Sequence, residues 1–319
     1  IILGIFIIFL GRLFYIQVIT DSYSLWATQN AIRKVTIYPA RGVIYDRNGE
    51  RVVVNRPIYD LMLIPLQLSE KMDTLSFCEL LQIDKSVFKL AQQEIDFVEQ
   101  EKIAFHSFLD DKYPERLKHC IDGPTVLFSS GNIQLPQQKI ISIVGTRQIT
   151  SYGTEMCKKL IEDLAPLNPV IVSGFAYGVD IVAHQAAMDH NLQTIGVLAH
   201  GLNQIYPKTH KKYVAKMEQN GGFLTEFWST SNPDRENFVR RNRIVAGMAE
   251  ATIVIESADR GGSLITATLA NDYNRDVFAV PGRTTDKYSQ GCNNLIKTQR
   301  AHLLTSAADL IYILNWELE

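Results

Sequence analysis

A repeated grammar of apolar run, small-residue loop and amphipathic helix fills residues 139–282 and limits the fold more than any other feature. The run Lys139-Ile140-Ile141-Ser142-Ile143-Val144 ends in Gly145-Thr146-Arg147. β-Branched residues apolar on both faces fit a parallel strand covered on both sides. The pattern recurs. Val170-Ile171-Val172 leads into Ser173-Gly174, Thr194–Leu198 into His200-Gly201, Thr252–Ile255 into Glu256-Ser257, and Asp276–Val280 into Pro281-Gly282. Helical patterns over Tyr152–Leu164, Val179–His190, His210–Gln219, Arg235–Met248, Ser263–Asn274 and Cys292–Gln299 alternate with strands ending near Val144, Val172, Leu198, Thr225, Ile255 and Val280. A last pair, His302–Thr305 and Ala307–Leu314, closes the chain. The spacing predicts an α/β fold, a doubly wound, mainly parallel sheet whose loops gather on one edge, where ligands of such sheets bind.

The loops at that edge suit an anion. Gly145-Thr146-Arg147 ends one strand, and Ser173-Gly174-Phe175-Ala176-Tyr177-Gly178-Val179-Asp180 ends the next and opens a helix. Glycine admits close backbone approach, free N–H groups at a helix start attract phosphate, and Arg147 adds a bidentate donor. Gly201, Gly261-Gly262 and Gly282 repeat the arrangement at further strand ends. Tight strand-to-helix turns alone would also use these glycines. Two basic clusters adjoin the same edge: Tyr206-Pro207-Lys208-Thr209-His210-Lys211-Lys212-Tyr213, and Asp234 to Arg243 with four arginines and Asn242. On a helix over 235–248, Phe238, Arg241 and Val245 share one face, with Arg240 and Arg243 on another. Cations mixed with aromatics and amides fit a groove that follows a phosphodiester backbone and stacks bases. The whole chain carries a net charge of −2, so it is no general polycation and a nucleic-acid role needs such local patches.

Several chemistries are disfavoured. No GxxxxGK[ST] occurs, and the loop after the first strand lacks G-x-G-x-x-G, which argues against a P-loop ATPase and a dinucleotide enzyme. Asp180 and His184 lie four apart on one helix, and Glu226 and Glu256 end strands, but no metal spacing or Ser/His/Asp pattern joins them. Asp180 is expected to orient the Gly174–Gly178 loop and His184 to pack. Cys78, Cys120, Cys157 and Cys292 are too scattered for a zinc site or disulfide framework, and Cys157 reads as a core residue. No cofactor, metal or catalytic residue is expected.

The N-terminal part differs in character. Ile1 to Ile19 is nearly all apolar, with Arg12 in its middle, and reads as a truncated membrane anchor, the one source of membrane contact. Asp46 to Gly49 is a turn between strand-like runs. The strings GRLFYIQVI, PARGVIYDRNG and NRPIYDLMLIP resemble the anchor and pedestal of class B penicillin-binding proteins. Ser86 and Lys89 have S-x-x-K spacing, but no KTG follows, so transpeptidase activity is not expected. From about Leu90 the character changes: an amphipathic helix over Leu90–Lys102, the segment Pro124–Phe128, and a turn at Gly131 lead into the main domain.

Over about Leu90 to the end, the strings IVGTR, SGFAYGVDIVAH, IGVLAHGLNQIYP, GGFLTEF, NPDRENFVRRNRIVAGM, ATIVIESADRGGSLITA, NRDVFAVPGR and GCNNLIK resemble the DNA-processing protein A (DprA/Smf) family, in order. The resemblance implies an extended Rossmann-like domain that binds single-stranded DNA, forms a homodimer and passes the strand to the RecA recombinase in natural transformation. It implies no enzymatic activity. It places Gly145, Thr146, Arg147, Ser173, Gly174, Gly201, Lys208, Lys211, Arg240, Asn242 and Arg243 at or near the DNA pocket. It puts Asn293, Ile296 and His302, within Gly291–Leu303, near the dimer contact. The family's N-terminal helical module is expected to be missing or mostly replaced by the penicillin-binding-like segment, and no C-terminal winged helix is expected. The expected division is an anchor at 1–19, a penicillin-binding-like fragment at 20–89, a lead-in at 90–138 and the DNA-binding domain at 139–319. Residues 90–319 are expected in the cytoplasm. One anchor cannot also hold 20–89 outside, so the junction reads as a join between two genes. The alternatives are a nucleotide-binding protein or nucleotide N-glycoside hydrolase on a related fold, although Gly261-Gly262-Ser263 lacks the flanking Pro and Glu of the PGGxGTxxE signature, and an inactive membrane-anchored cell-wall protein fusion.

Overall fold

The computed structural model describes residues 73–135 and 139–316, together with Tyr15, Ile44, Tyr45, Arg47 and 51–53. The chain divides into two units, Ile1–Met72 and Asp73–Glu319. In the first, β1 (Ile44–Tyr45) pairs antiparallel with β2 (Arg51–Val53), the strands on either side of the expected Asp46–Gly49 turn. The expected anchor over 1–19 lies outside the described residues save Tyr15, as does most of the 20–72 segment. Among the described residues no helix is long and apolar enough to cross a membrane.

The second unit opens with α1 (Thr74–Leu81) and α2 (Lys85–Gln100). Each starts on an aspartate whose carboxylate accepts early helix N–H groups: Asp73 from Leu75 at 3.0 Å and Asp84 from Ser86 at 2.7 Å. α2 runs unbroken through positions 89 and 90. It docks through Glu94, a buried carboxylate that accepts the Ser229 backbone N–H at 2.8 and 2.9 Å and the Ser229 hydroxyl at 2.5 Å. Removing that acceptor strands a backbone donor. Glu94→Ala is expected to lower unfolding free energy by about 1–3 kcal/mol and Glu94→Gln by less, read from urea midpoints at constant slope.

Nine strands form one sheet in the order β11-β10-β9-β5-β6-β7-β8-β4-β3. The parallel part runs from β5 (Ile140–Val144) through β6 (Val170–Ser173), β7 (Thr194–Val197) and β8 (Gly221–Thr225). It returns to the other side of β5 with β9 (Ala251–Val254), β10 (Asp276–Ala279) and β11 (His302–Leu303). The strands of the lead-in, β3 (Ala104–Ser107) and β4 (Val126–Asn132), extend the sheet antiparallel beyond β8. Between them lies the short α3 (Glu115–Lys118). The turn expected at Gly131 is not a turn. Gly131 sits inside β4 opposite Gly222, and a Cβ there would lie 2.4 Å from the Gly221 carbonyl oxygen. Three facing glycines let β4 close against β8 where side chains would hold the backbones apart.

Helices cover both faces: α4 (Ser151–Leu164), α5 (Val179–Asp189), α6 (Lys211–Gln219), α7 (Arg235–Met248), α8 (Gly262–Asp272), α9 (Gln290–Lys297) and α10 (Ala307–Ile313). Strand alternation separates two cores. Ile141, Ile143, Ile171 and Ile253 pack with Cys157, Leu160, Ile161 and Ala183 of α4 and α5. Ile140, Val144, Val172 and Val254 pack with Ile244, Val245 and Ala267 of α7 and α8. Ser142, buried between strands, meets the Thr252 hydroxyl at 2.7 Å. The two cores together fix the heights of the β5, β6 and β9 ends, from which the site is built.

Candidate functional site

β5 lies between β6 and β9, yet the chain leaves it toward β6 and reaches β9 only after β8. The loops leaving β5 and β9 therefore diverge, and a crevice opens at their carboxyl ends. A cavity of about 840 Å³ occupies it. Its walls are the loop after β5 (Gly145, Thr146, Arg147), the loop after β6 (Gly174, Ala176), one face of α7 (Phe238, Arg241, Asn242, Val245) and the start of α8 (Arg260 to Ser263). The loops are tied to one another. The Thr146 N–H donates to the Glu256 carbonyl at 2.7 Å, and the Thr146 carbonyl accepts the Val179 N–H at 3.1 Å.

Arg241 is the floor of the site. It is buried, and its guanidinium donates to the Gly174 and Val197 carbonyls, the free carbonyls at the ends of β6 and β7. Its Nε donates to the Asn242 side-chain oxygen at 3.2 Å. A Cβ at Gly174 would sit 2.5 Å from the guanidinium, so the close approach needs glycine. Burial pushes Arg241 down to about 10, against the pull of the Asp180 carboxylate. Burial likewise pushes Asp180 up, against Arg241, the Ala176 N–H and the Ser173 hydroxyl. The Asp180 carboxylate accepts the Ala176 N–H at 3.2 Å and so orients the loop after β6, as its position at the helix start suggests.

Phe238 gathers the remaining groups. The Arg147 guanidinium lies 5.2 Å from its ring centroid and that of Arg241 lies 5.8 Å away. Tyr206 meets it edge-on at 5.8 Å. On the opposite wall the first turn of α8 carries no acidic residue, and a Cβ at Gly262 would meet nothing within 4 Å. A bare helix N-terminus beside four guanidiniums, those of Arg147, Arg235, Arg241 and Arg260, outweighs the one lining carboxylate, Asp180, and makes the cavity electropositive.

The residues expected at the pocket divide. Gly145, Thr146, Arg147, Gly174 and Asn242 line it. Ser173 is wholly buried beneath it, its hydroxyl donating to the Ile143 carbonyl at 2.6 Å. Gly201 packs against the backbone of Trp228 and Ser229 outside the lining. Lys208 and Lys211 are exposed at the start of α6, and Tyr206 leads from that segment to Phe238. Arg240 and Arg243 turn away onto the buried Glu226 carboxylate, Arg240 at 2.8 Å, and Arg243 also donates to the Asp122 carbonyl. Phe238, Arg241, Arg235 and Arg260 line the cavity without having been among the residues expected at the pocket. The shared helix face of Phe238, Arg241 and Val245 was the available signal. The Glu256 carboxylate accepts from the Thr150 hydroxyl at 2.6 Å and the Thr150 N–H at 2.9 Å, tying the start of α4 to the end of β9. His184 packs wholly buried, as expected. Among the residues expected near a dimer contact, Asn293 holds Gly282 through both amide groups, Ile296 packs on the core, and His302 on edge strand β11 faces Asp276 at 3.4 Å.

Comparison with known proteins agrees with this architecture. The family profile for DNA recombination-mediator protein A matches residues 104–315. DNA processing protein DprA of Streptococcus pneumoniae is 38% identical over 213 residues, 67% of this chain and 75% of that one. Its Bacillus subtilis counterpart is 38% identical over 200 residues, 62% of this chain and 67% of that one. The crystal structure of the S. pneumoniae protein superposes with a TM-score of 0.66 at 36% identity, covering 76% of this chain and 83% of that one. DNA processing protein A from Helicobacter pylori, whose structure describes a single-stranded DNA binding mode, superposes at 0.60 with 28% identity, covering 67% and 95%. The profile of the penicillin-binding protein dimerisation domain matches residues 36–151. The peptidoglycan D,D-transpeptidase MrdA of Escherichia coli is 33% identical over 103 residues, 32% of this chain and 15% of that one. Residues 104–151, common to both profiles, hold β3, β4 and β5 of the nine-stranded sheet. With that sheet, its switch-point cavity and a profile match over most of its length, the chain belongs to the DNA recombination-mediator protein A family.

Proposed function

We propose that this chain binds single-stranded DNA in the switch-point cavity, protects incoming strands, and loads RecA recombinase on them during natural transformation. The observation that carries the reading is the Phe238 ring, held by Arg147 and Arg241 at the mouth of an electropositive cavity. A ring offers a base a stacking face, and the cations offer the adjoining phosphates a counter-charge. The sequence relatives are DNA-processing proteins, and the H. pylori protein has a single-stranded DNA binding mode, which supports the same reading. The strand would continue past Tyr206 to Lys208 and Lys211. Binding rather than catalysis fits the carboxylates nearby, since Glu256 holds Thr150 and Asp180 holds the Ala176 N–H, each serving to position a loop. A homodimer through Asn293, Ile296 and His302, and a cytoplasmic location for the DNA-binding part, belong to the same proposal.

The test is fluorescence anisotropy of labelled oligo-dT with the full chain across a salt series. Phe238→Ala is expected to weaken binding by about 1–3 kcal/mol, roughly 5- to 150-fold. Arg147→Ala is expected to lower the slope of log K against log salt by about 0.7, one phosphate contact on a single strand. Binding indifferent to both changes would overturn the assignment.

A further inference from the structure

A second cavity, of about 960 Å³, lies on the other side of the loop after β5. The switch-point cavity takes Arg147 from that loop, and this one takes Thr150 and Ser151. Three residues of chain span at most about 10 Å, so the two hollows are neighbours. Its far wall is the segment after β10, Pro281 to Tyr288.

Its lining has a definite chemistry. Tyr152 and Tyr288 are both pinned by their hydroxyls. Tyr152 donates to the Pro281 carbonyl at 2.8 Å, and Tyr288 donates to the side-chain oxygen of Gln148. Pinned hydroxyls fix the rings and leave their apolar bodies to the hollow; Tyr152 is 44% exposed. Arg283 and Lys287 are exposed on the same wall, and Lys287 stands 5.4 Å from the Tyr288 ring. Among the described residues neither cation forms an ion pair. Of the two lining carboxylates, Glu256 is buried and held by the Thr150 hydroxyl and N–H, and Asp286 is exposed. Two fixed aromatic rings beside two unpaired cations form a stacking platform with phosphate ligands. The loop that carries Arg147 on one flank carries Gln148, and through it Tyr288, on the other.

We infer that this hollow is a second nucleotide subsite, where Tyr152 and Tyr288 stack a base and Arg283 and Lys287 hold its phosphates. Resting on the single-strand reading above, it makes the strand cross the loop after β5 and occupy both flanks. The shared chemistry is a nucleotide unit, supplied by a longer strand or by a free mononucleotide.

The experiment uses the full chain with labelled oligo-dT of about 4 to about 20 nucleotides, the range of site sizes in single-strand-binding folds. Wild type and R283A/K287A are expected to bind the shortest productive oligomers equally. Wild type is expected to gain about tenfold at greater length, and the double variant to miss that gain, its salt slope on long oligomers lower by about 1.4. Y152A should lose the same gain through stacking, while Y152F, which keeps the ring, should retain at least half of it. An unchanged thermal midpoint in R283A/K287A shows that the exposed substitutions leave the fold intact. Equal affinity and slope for wild type and double variant at every length would overturn the subsite. So would dTMP that binds wild type but not the variant while the length gain persists in both, since the hollow would then take free nucleotide and no strand. No binding of any oligomer by wild type would instead overturn the single-strand reading, and with it this subsite.

Discussion

Arg241→Met is expected to cost about 3–5 kcal/mol of unfolding free energy, more than any other substitution at the site. The side chain contributes no surface charge to compensate its loss, being 4% exposed. Its removal takes away the strongest charge acting on the buried Asp180 carboxylate and frees two carbonyls, those of Gly174 and Val197. Methionine fills similar volume, so the cost is chiefly electrostatic rather than a cavity effect. Urea unfolding of wild type, Arg241→Met, Asp180→Asn and the double variant measures it. The double variant is expected to recover part of the loss, because asparagine removes the stranded charge, giving a coupling of about 1–3 kcal/mol. Strict additivity would show that the two side chains do not act as a pair.

Acid is the second large lever, and it acts through His184. Its ring is wholly buried, Nδ1 meets the Thr194 hydroxyl at 2.7 Å, and Nε2 has no partner. Burial, with smaller contributions from His210 and Arg241, depresses it from 6.5 to about 3. The folded state therefore refuses a proton that the unfolded chain accepts. Above the unfolded value neither state is protonated and nothing is lost. As pH falls below 6.5 the unfolded state gains protons, and stability drops by up to about 1.4 kcal/mol per pH unit until the folded value near 3 is reached. Burial lowers His200 and His210 in the same direction. His184→Gln keeps a polar terminus for Thr194 and does not titrate. Urea midpoints at about pH 7.5, 6 and 5 are expected to show a shallower decline in the variant, by about 1 kcal/mol per unit between the last two. Parallel declines would place the acid sensitivity elsewhere.

The parallel core was legible because strands buried on both faces need near-continuous runs of apolar and small residues, and β5, β6, β7 and β9 have them. The site was legible where backbone made it: Gly145, Thr146 and Gly174 follow strand ends by necessity. It was obscured among the arginines of α7. Arg240, Arg241 and Arg243 are one kind of letter, but Arg241 is buried under free carbonyls while its neighbours meet Glu226. Which arginine goes inward depends on where β6 and β7 end in space, a tertiary fact that helical period narrows without deciding. The lead-in was legible as helix and strand but not as part of the sheet. Its pairing rests on Gly131 facing Gly221 and Gly222, some ninety residues on, and a lone glycine looks like a turn until its partner is known.

The strand order bears on how the molecule is made. During synthesis β5 to β8 leave the ribosome in order and can pair in sequence, yet β9, which covers the other side of β5, follows only after α7. Until then the nascent chain shows the bare edge of β5, a row of unpaired amides and carbonyls on a strand apolar but for Ser142. The crevice cannot exist before α8 has emerged, since that helix forms one wall. A ribosome stalled within α7 would therefore hold a sticky, siteless half-sheet, the species that a holdase chaperone recognises and that aggregates without one.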